Sequence, residues 1–186
     1  HSVSKLIGSP AGYVGYNDNK NILDNILQFE SIIGYRFNNK EYILEALTHS
    51  SYSNENKEYN FNERLEFLGD AVLGMVTASL LYNDLNEQPE GELARIKSIV
   101  VSEATLSQIA LNIGVDKCLI LGKGEELSGG RTKKAILADA MEAIIGAYYL
   151  DSGYREAEKF VLKFMVEEVE KVFKEQFKIN LITADA

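Results

Sequence analysis

Apolar residues recur along this chain with the period of helices. Ile22, Ile26, Phe29 and Ile33 fall three and four apart, one face of an amphipathic helix beginning near Asn21. Gly34 follows, where a helix stop is expected. A short helix is predicted over Lys40–Thr48, with Tyr42, Ile43, Leu44 and Leu47 as its apolar positions. Residues 51–62, SYSNENKEYNFN, are polar and turn-like. The next stretch, Arg64–Tyr82, is apolar nearly all round and predicts a central buried helix. Pro89 and Gly91 interrupt the chain, and helices are expected over about 91–101 and 103–113. A glycine-rich loop, LGKGEELSGGRTKK, then precedes a second apolar helix, AILADAMEAIIGAYYLD. The last helix begins after Gly153 and runs to about Gln176, with Ala157, Phe160, Val161, Phe164, Met165, Val169, Val172 and Phe173 at helical spacing. No segment alternates as a strand does, and no repeat appears, so the fold class is all-α. Residues 1–20, rich in Gly, Ser and Asn, read as a flexible tail, 21–178 as one domain, and 179–186 as the start of a linker.

Composition narrows the classes. Of 186 residues, 46% are apolar and 25% charged, the balance of a globular domain that folds without a structural metal or disulfide. Cys118 is the one cysteine, so no intrachain bridge and no zinc cluster is expected, and a reducing, cytoplasmic compartment is the simplest reading. No apolar run is expected to span the roughly 20 residues of a bilayer crossing. The opening residues lack the apolar core of a signal peptide. The net charge of −9 argues against a nucleic-acid partner. The stretch Glu92–Lys134 departs from it, with seven basic residues against five acidic ones, which permits a phosphate-contacting surface.

The chemistry sits where polarity is least expected. Glu63, Glu66 and Asp70 fall at i, i+3 and i+7 on the first apolar helix, and Asp139 and Glu142 at i and i+3 on the second. Each set therefore shares a helix face, with neighbouring Cβ atoms roughly 5–6 Å apart. A buried carboxylate must be paired, protonated or bound to a cation. No Lys or Arg lies within 65–81 or 135–150, and only Arg64 at the edge could pair locally. A single such acid is commonly half of a distant ion pair. With two sets on two apolar helices, two readings stand level: distant ion pairs, or a cage of hard oxygens, suited to Mg²⁺ or Mn²⁺ rather than zinc.

The segment NERLEFLGDAVL, Asn62–Leu73, resembles the most distinctive motif of the ribonuclease III family. LTHSSYSNE (47–55), GELARIKSIVVSEATLSQIA (91–110) and LGKGEELSGGRTKKAILADAMEAIIGAYYLDSG (121–153) are similar to its other blocks, in order and spacing. The resemblance implies the homodimeric helical endonuclease fold, with 21–178 as the catalytic domain. It implies Glu66, Asp70, Asp139 and Glu142 as metal-binding acids, with Asp70 and Glu142 catalytic and Glu63 a further acid at the cleavage site. It implies Mg²⁺, with Mn²⁺ also supporting activity, and no nucleotide or organic cofactor. The substrate implied is double-stranded RNA, cut to 5′-phosphate and 3′-hydroxyl ends with short 3′ overhangs, in ribosomal-RNA and messenger-RNA processing or decay. A non-cleaving duplex-RNA-binding module of the same fold is the alternative. Phe67 matches an aromatic that plugs a cavity in the partner subunit, an isologous contact. No membrane partner is implied. Bacterial members continue into a double-stranded-RNA-binding domain, so this chain is expected to be part of a longer protein.

Other residues have two readings. His49 is either a general base or a hydrogen-bonded structural histidine beside Ser50 and Ser51. Gly129, Gly130, Arg131, Lys133 and Lys134 either cradle phosphate or form a solvated loop. Asn54, Arg95 and Lys97 are further candidate RNA contacts. GKGEELSGG lacks the GK[ST] ending of a P-loop, and Cys118 reads as a small core residue.

Overall fold

The computed structural model describes residues 16–184, so the tail expected over 1–20 lies largely outside the described residues. Helix α1 spans Tyr16–Ile33, one turn more than the periodicity indicated. Its apolar face is buried as expected, with Ile26 and Phe29 fully so. Gly34 ends it at a φ of +70°, where the absence of a side chain removes the strain, and donates its N–H to Glu30 O. Beyond the turn, α2 spans Lys40–Leu47, its N-terminus capped by the Asn39 side chain, which accepts from Glu41 N.

The polar stretch expected to be a turn begins with a helix, α3, Ser50–Glu55. His49 caps it: Nδ1 accepts from Ser51 N and lies 2.8 Å from Ser51 Oγ. The first apolar helix is α4, Glu63–Asp84. It is followed by α5, Glu90–Val100, and α6, Glu103–Asn112, the latter capped by Ser102, which accepts from Thr105 N. The single turn α7, Val115–Cys118, leads to α8, Lys123–Leu127, and a 3₁₀ turn, Gly130–Thr132. The segment expected to be wholly loop thus contains two short helical pieces. Next come α9, Lys134–Ser152, and α10, Tyr154–Ala184. The last helix therefore continues through 179–184, where the linker was expected to begin.

Helix α9 forms the centre. It packs against α4, α6, α2 and α10, and buries an almost unbroken run from Ile136 to Tyr148, interrupted by Asp139 and Glu142. Helix α4 differs from expectation. By length and composition it is apolar enough to cross a membrane, although no such run was expected. It buries one face, Leu65, Gly69, Val72, Leu73, Val76 and Leu81, and exposes the other. Phe67 is 83% exposed, and Met75 and Tyr82 lie open beyond it. Among the described residues the only strand-like pairing is one parallel bridge, Thr48 to Ile120.

Candidate metal centre

Two anchors fix the start of α4. Asn62 is buried; its N–H donates to Thr48 O, and its side-chain Nδ2 donates to Ala46 O at 3.2 Å. The first turn of α4 is thus tied to the end of α2. One turn on, α4 crosses α9 at backbone contact. A β-carbon on Gly69 would lie 1.6 Å from Glu142 O, and one on Gly146 would lie 2.5 Å from Leu65 O. The acids flank this crossing: Glu66 follows Leu65, Asp70 follows Gly69, and Glu142 supplies a contacting carbonyl.

The two sets of acids consequently meet. Oxygens of Glu66, Asp139 and Glu142 all lie within 4.8 Å of one another. Asp70 lies within hydrogen-bonding reach of Glu142, and Asp139 of Glu66. With Glu63 and Phe67, these residues line an open cleft of about 510 Å³. Five expected acids therefore share one space, Glu63 at its margin.

Electrostatics mark the cluster as short of positive charge. Burial, followed by the charge of Asp139 and its hydrogen bond, pushes the Glu66 carboxyl up to about 7. Burial, followed by the hydrogen bond and charge of Asp70, pushes Glu142 up to about 8. Asp139 is also raised, chiefly by burial, with its hydrogen bond to Glu66 opposing. Among the described residues, none of the four acids pairs with a Lys or Arg. A compact, like-charged, all-oxygen donor set with no protein cation fits a hard divalent ion, which would offset repulsion that protons otherwise relieve.

The remaining candidates are placed differently. Phe67 also forms one wall of a second pocket of about 680 Å³, with Glu45, Glu63, Arg64, Leu65, Leu68 and Leu150. Arg131 is turned inward on its own loop: it pairs with Glu126 at 2.7 Å and donates to the carbonyls of Asp116 and Leu119. Lys133 pairs with Glu125 at 2.6 Å, and Arg95 with Glu92. These three cations close loops and helix turns, which favours the solvated-loop reading over a phosphate cradle. Asn54 and Lys134 are exposed, and Lys97 lies over Gly74 on α4 and forms no ion pair among the described residues. The cap made by His49 fits its structural reading. Burial pushes the Cys118 thiol up to about 11, as suits a core residue.

Sequence reasoning missed two features. Glu103, at the start of α6, adds its charge to the field on Asp139, and nothing in its local pattern signals this. The glycine crossing had a signal: a glycine inside each apolar helix, three residues after Glu66 and four after Glu142, marks close backbone approach.

The family model described as ribonuclease-III-like matches residues 39–169, which includes every acid of the cluster. The chain belongs to that family. It is 50% identical over 153 residues to ribonuclease 3 of Treponema denticola, covering 82% of this chain and 62% of the relative. It is 42% identical to ribonuclease 3 of Clostridium perfringens, covering 86% of this chain and 67% of the relative. The chain thus spans about three fifths to two thirds of the length of these relatives. Among solved structures it resembles the nuclease domain of ribonuclease III from Campylobacter jejuni, with a TM-score of 0.72 and 37% identity. That match covers 77% of this chain and 97% of the other, whose description refers to a region involved in dimer formation. The fold is therefore the all-helical nuclease-domain fold of the ribonuclease-III-like family.

Proposed function

We propose that this chain is the catalytic domain of a double-strand-specific endoribonuclease that works as a homodimer in the cytoplasm. Its reaction is hydrolysis of phosphodiester bonds in duplex RNA, leaving 5′-phosphate and 3′-hydroxyl ends with short 3′ overhangs. Its cellular roles are ribosomal-RNA precursor processing and messenger-RNA processing or decay. The single observation that carries the reading is the convergence of Glu66, Asp139 and Glu142 within 4.8 Å at the α4–α9 crossing, in a chain of this family.

Glu66, Asp70, Asp139 and Glu142 are the residues that would hold Mg²⁺, with Mn²⁺ a substitute. When bound, the ion supplies charge neutralisation at the phosphate and a more acidic water for attack. The chain's own contribution is positioning. Asn62 and the glycine crossing hold the acids in one place. Asp70 and Glu142, within hydrogen-bonding reach of each other, are the pair suited to orient a water and accept its proton. Glu63 adds charge at the margin. An open cleft suits duplex RNA, whose A-form geometry is read through phosphates and 2′-hydroxyls rather than base edges.

The exposed stripe on α4 supports the homodimer. Phe67 and Met75 are both exposed on that helix, and Phe67 forms one wall of the pocket lined by Arg64, Leu68 and Leu150. In a two-fold pair each Phe67 would enter the partner's pocket, an isologous contact. Among the described residues, Asn54, Lys97 and Lys134 are the polar side chains best suited to RNA phosphates, whereas Arg95, Arg131 and Lys133 would first have to leave their carboxylates.

The test is incubation of long duplex RNA with Mg²⁺ and wild type, Glu142→Gln or Asp70→Asn. Wild type is expected to give duplex fragments with 5′-phosphates, and both variants to lose activity by at least about a hundredfold. Undiminished cleavage in both variants refutes the assigned site. RNA binding without product in wild type refutes the enzyme and favours a binding module.

A further inference from the structure

We infer that the Gly69–Gly146 crossing is a positioning device that sizes the carboxylate cluster for a small divalent ion. The inference rests on the metal reading proposed above.

The contacts at the crossing are backbone to backbone. The atoms that a β-carbon would strike, Glu142 O at Gly69 and Leu65 O at Gly146, cannot rotate aside as a side chain could. A side chain at either position therefore has to be met by separating α4 from α9. Separation reaches the acids directly, because Glu142 carries one contacting carbonyl and Glu66 and Asp70 adjoin the other contact points.

The scale of the effect follows from ionic size. Oxygens around Mg²⁺ stand roughly 2.1 Å from the ion, hence about 3.0 Å apart for neighbours and about 4.2 Å for opposites. Around Ca²⁺, with oxygens at roughly 2.4 Å, the same separations are about 3.4 and 4.8 Å. Half an ångström of helix movement thus distinguishes the two ions. At Gly146 the β-carbon contact is 2.5 Å, and the helices would have to yield by about half an ångström or more to accommodate it. At Gly69 the overlap is far deeper.

Gly74 provides the internal control. It lies on the same α4, but a β-carbon there meets only the Lys97 side chain, at 3.7 Å, an ordinary contact. Gly74→Ala should therefore leave ion preference unchanged.

The experiment compares wild type, Gly146→Ala, Gly74→Ala and Val161→Ala. Val161→Ala removes buried volume on α10 and controls for stability loss alone. Calorimetric titration and thermal shift with MgCl₂, MnCl₂ and CaCl₂ give each protein's ion ranking without any RNA. In Gly146→Ala, Mg²⁺ affinity should fall about tenfold or more relative to Ca²⁺, with Mn²⁺ between them. Gly74→Ala and Val161→Ala should keep the wild-type ratios. An unchanged ratio in Gly146→Ala overturns the inference while leaving the metal reading intact. If Val161→Ala shifts the ratio equally, the inference is also overturned, because general loosening would explain it. No response of wild type to any of the three ions overturns the metal reading itself and this inference with it. If Gly146→Ala does not fold unaided, refolding is followed by circular dichroism against each ion, since an ion that binds only the folded state draws the chain into it. Rescue by Ca²⁺ at lower concentration than Mg²⁺ supports the inference. Rescue in the wild-type order, or by no ion, overturns it.

Discussion

Raising the pH should tighten Mg²⁺ binding steeply, because ion and proton compete for the same oxygens. In the metal-free protein Glu142 titrates at about 8 and Glu66 at about 7, against an ordinary value near 4.5. At pH 7 the two carboxyls together retain roughly one to one and a half protons, which Mg²⁺ must displace. The apparent affinity should therefore rise by about two to three orders of magnitude between pH 6 and pH 9, then level off. Both carboxyls are raised, so their contribution to metal-free stability is fully present below about pH 4.5 and is lost as pH climbs through 7 and 8. Mg²⁺ should reverse this loss, so its effect on Tm should be small near pH 5.5 and largest above pH 8. Titration calorimetry at pH 7 in two buffers of different ionisation enthalpy measures the released protons directly. Affinity flat from pH 6 to 9, with no buffer dependence of the heat, would refute the proton-sharing account of the cluster.

Four further outcomes are expected. Asp139→Asn should stabilise the metal-free fold above pH 8, by about 1 kcal/mol, while abolishing the Mg²⁺-induced shift in Tm; a lowered Tm counts against mutual repulsion in the cluster. Phe67→Ala should lower the mass seen by light scattering toward that of a monomer while leaving calorimetric Mg²⁺ affinity within about twofold. Lys40→Met should cost about 3 kcal/mol in urea unfolding, because it leaves Glu30, 3% exposed, with its Phe37 N–H but without its ammonium partner at 2.9 Å. Asp151→Ala should cost about 2 kcal/mol with ion binding unaltered, since that carboxylate accepts from Tyr35 Oη, Asn38 N and Asn39 N and ties α9 to the entry of α2.

What could be read beforehand follows from what each signal reports. Periodicity reports burial of one face, and it found α1, α2 and α10 because residues such as Ile26, Ile43 and Val161 are buried by neighbouring helices. It missed α8, which buries nothing, and α3, which buries only Ser53 and depends on the cap from His49. Composition misled at α4. An all-round apolar helix was expected to be buried all round, yet Phe67, Met75 and Tyr82 face outward. Apolar character says that a surface wants cover, and it does not say whether the same chain provides it. The acids were legible as two sets, each on one face. That the sets meet depends on the depth at which α4 and α9 cross, which is set by Gly69 and Gly146. The inward turn of Arg131 was not legible, because its partners are carbonyls of Asp116 and Leu119, and a carbonyl leaves no trace in side-chain pattern.

The crossing also explains how such a cluster is held at the edge of the core, where Glu66, Asp139 and Glu142 are half-buried and Glu63 and Asp70 exposed. Five acids around one cleft repel, and the repulsion, with burial, holds the Glu66 and Glu142 carboxyls well above the usual carboxylate range. Repulsion alone would push α4 from α9. Against it stand the backbone contact at the glycines and the buried residues on both sides, Leu65, Val72 and Leu73 on one helix and Met141, Ile144 and Ile145 on the other. Packing thus holds the oxygens closer than their charges favour. In the proposed metal reading a divalent ion would therefore neutralise charges already held together, instead of having to gather four carboxylates free to separate.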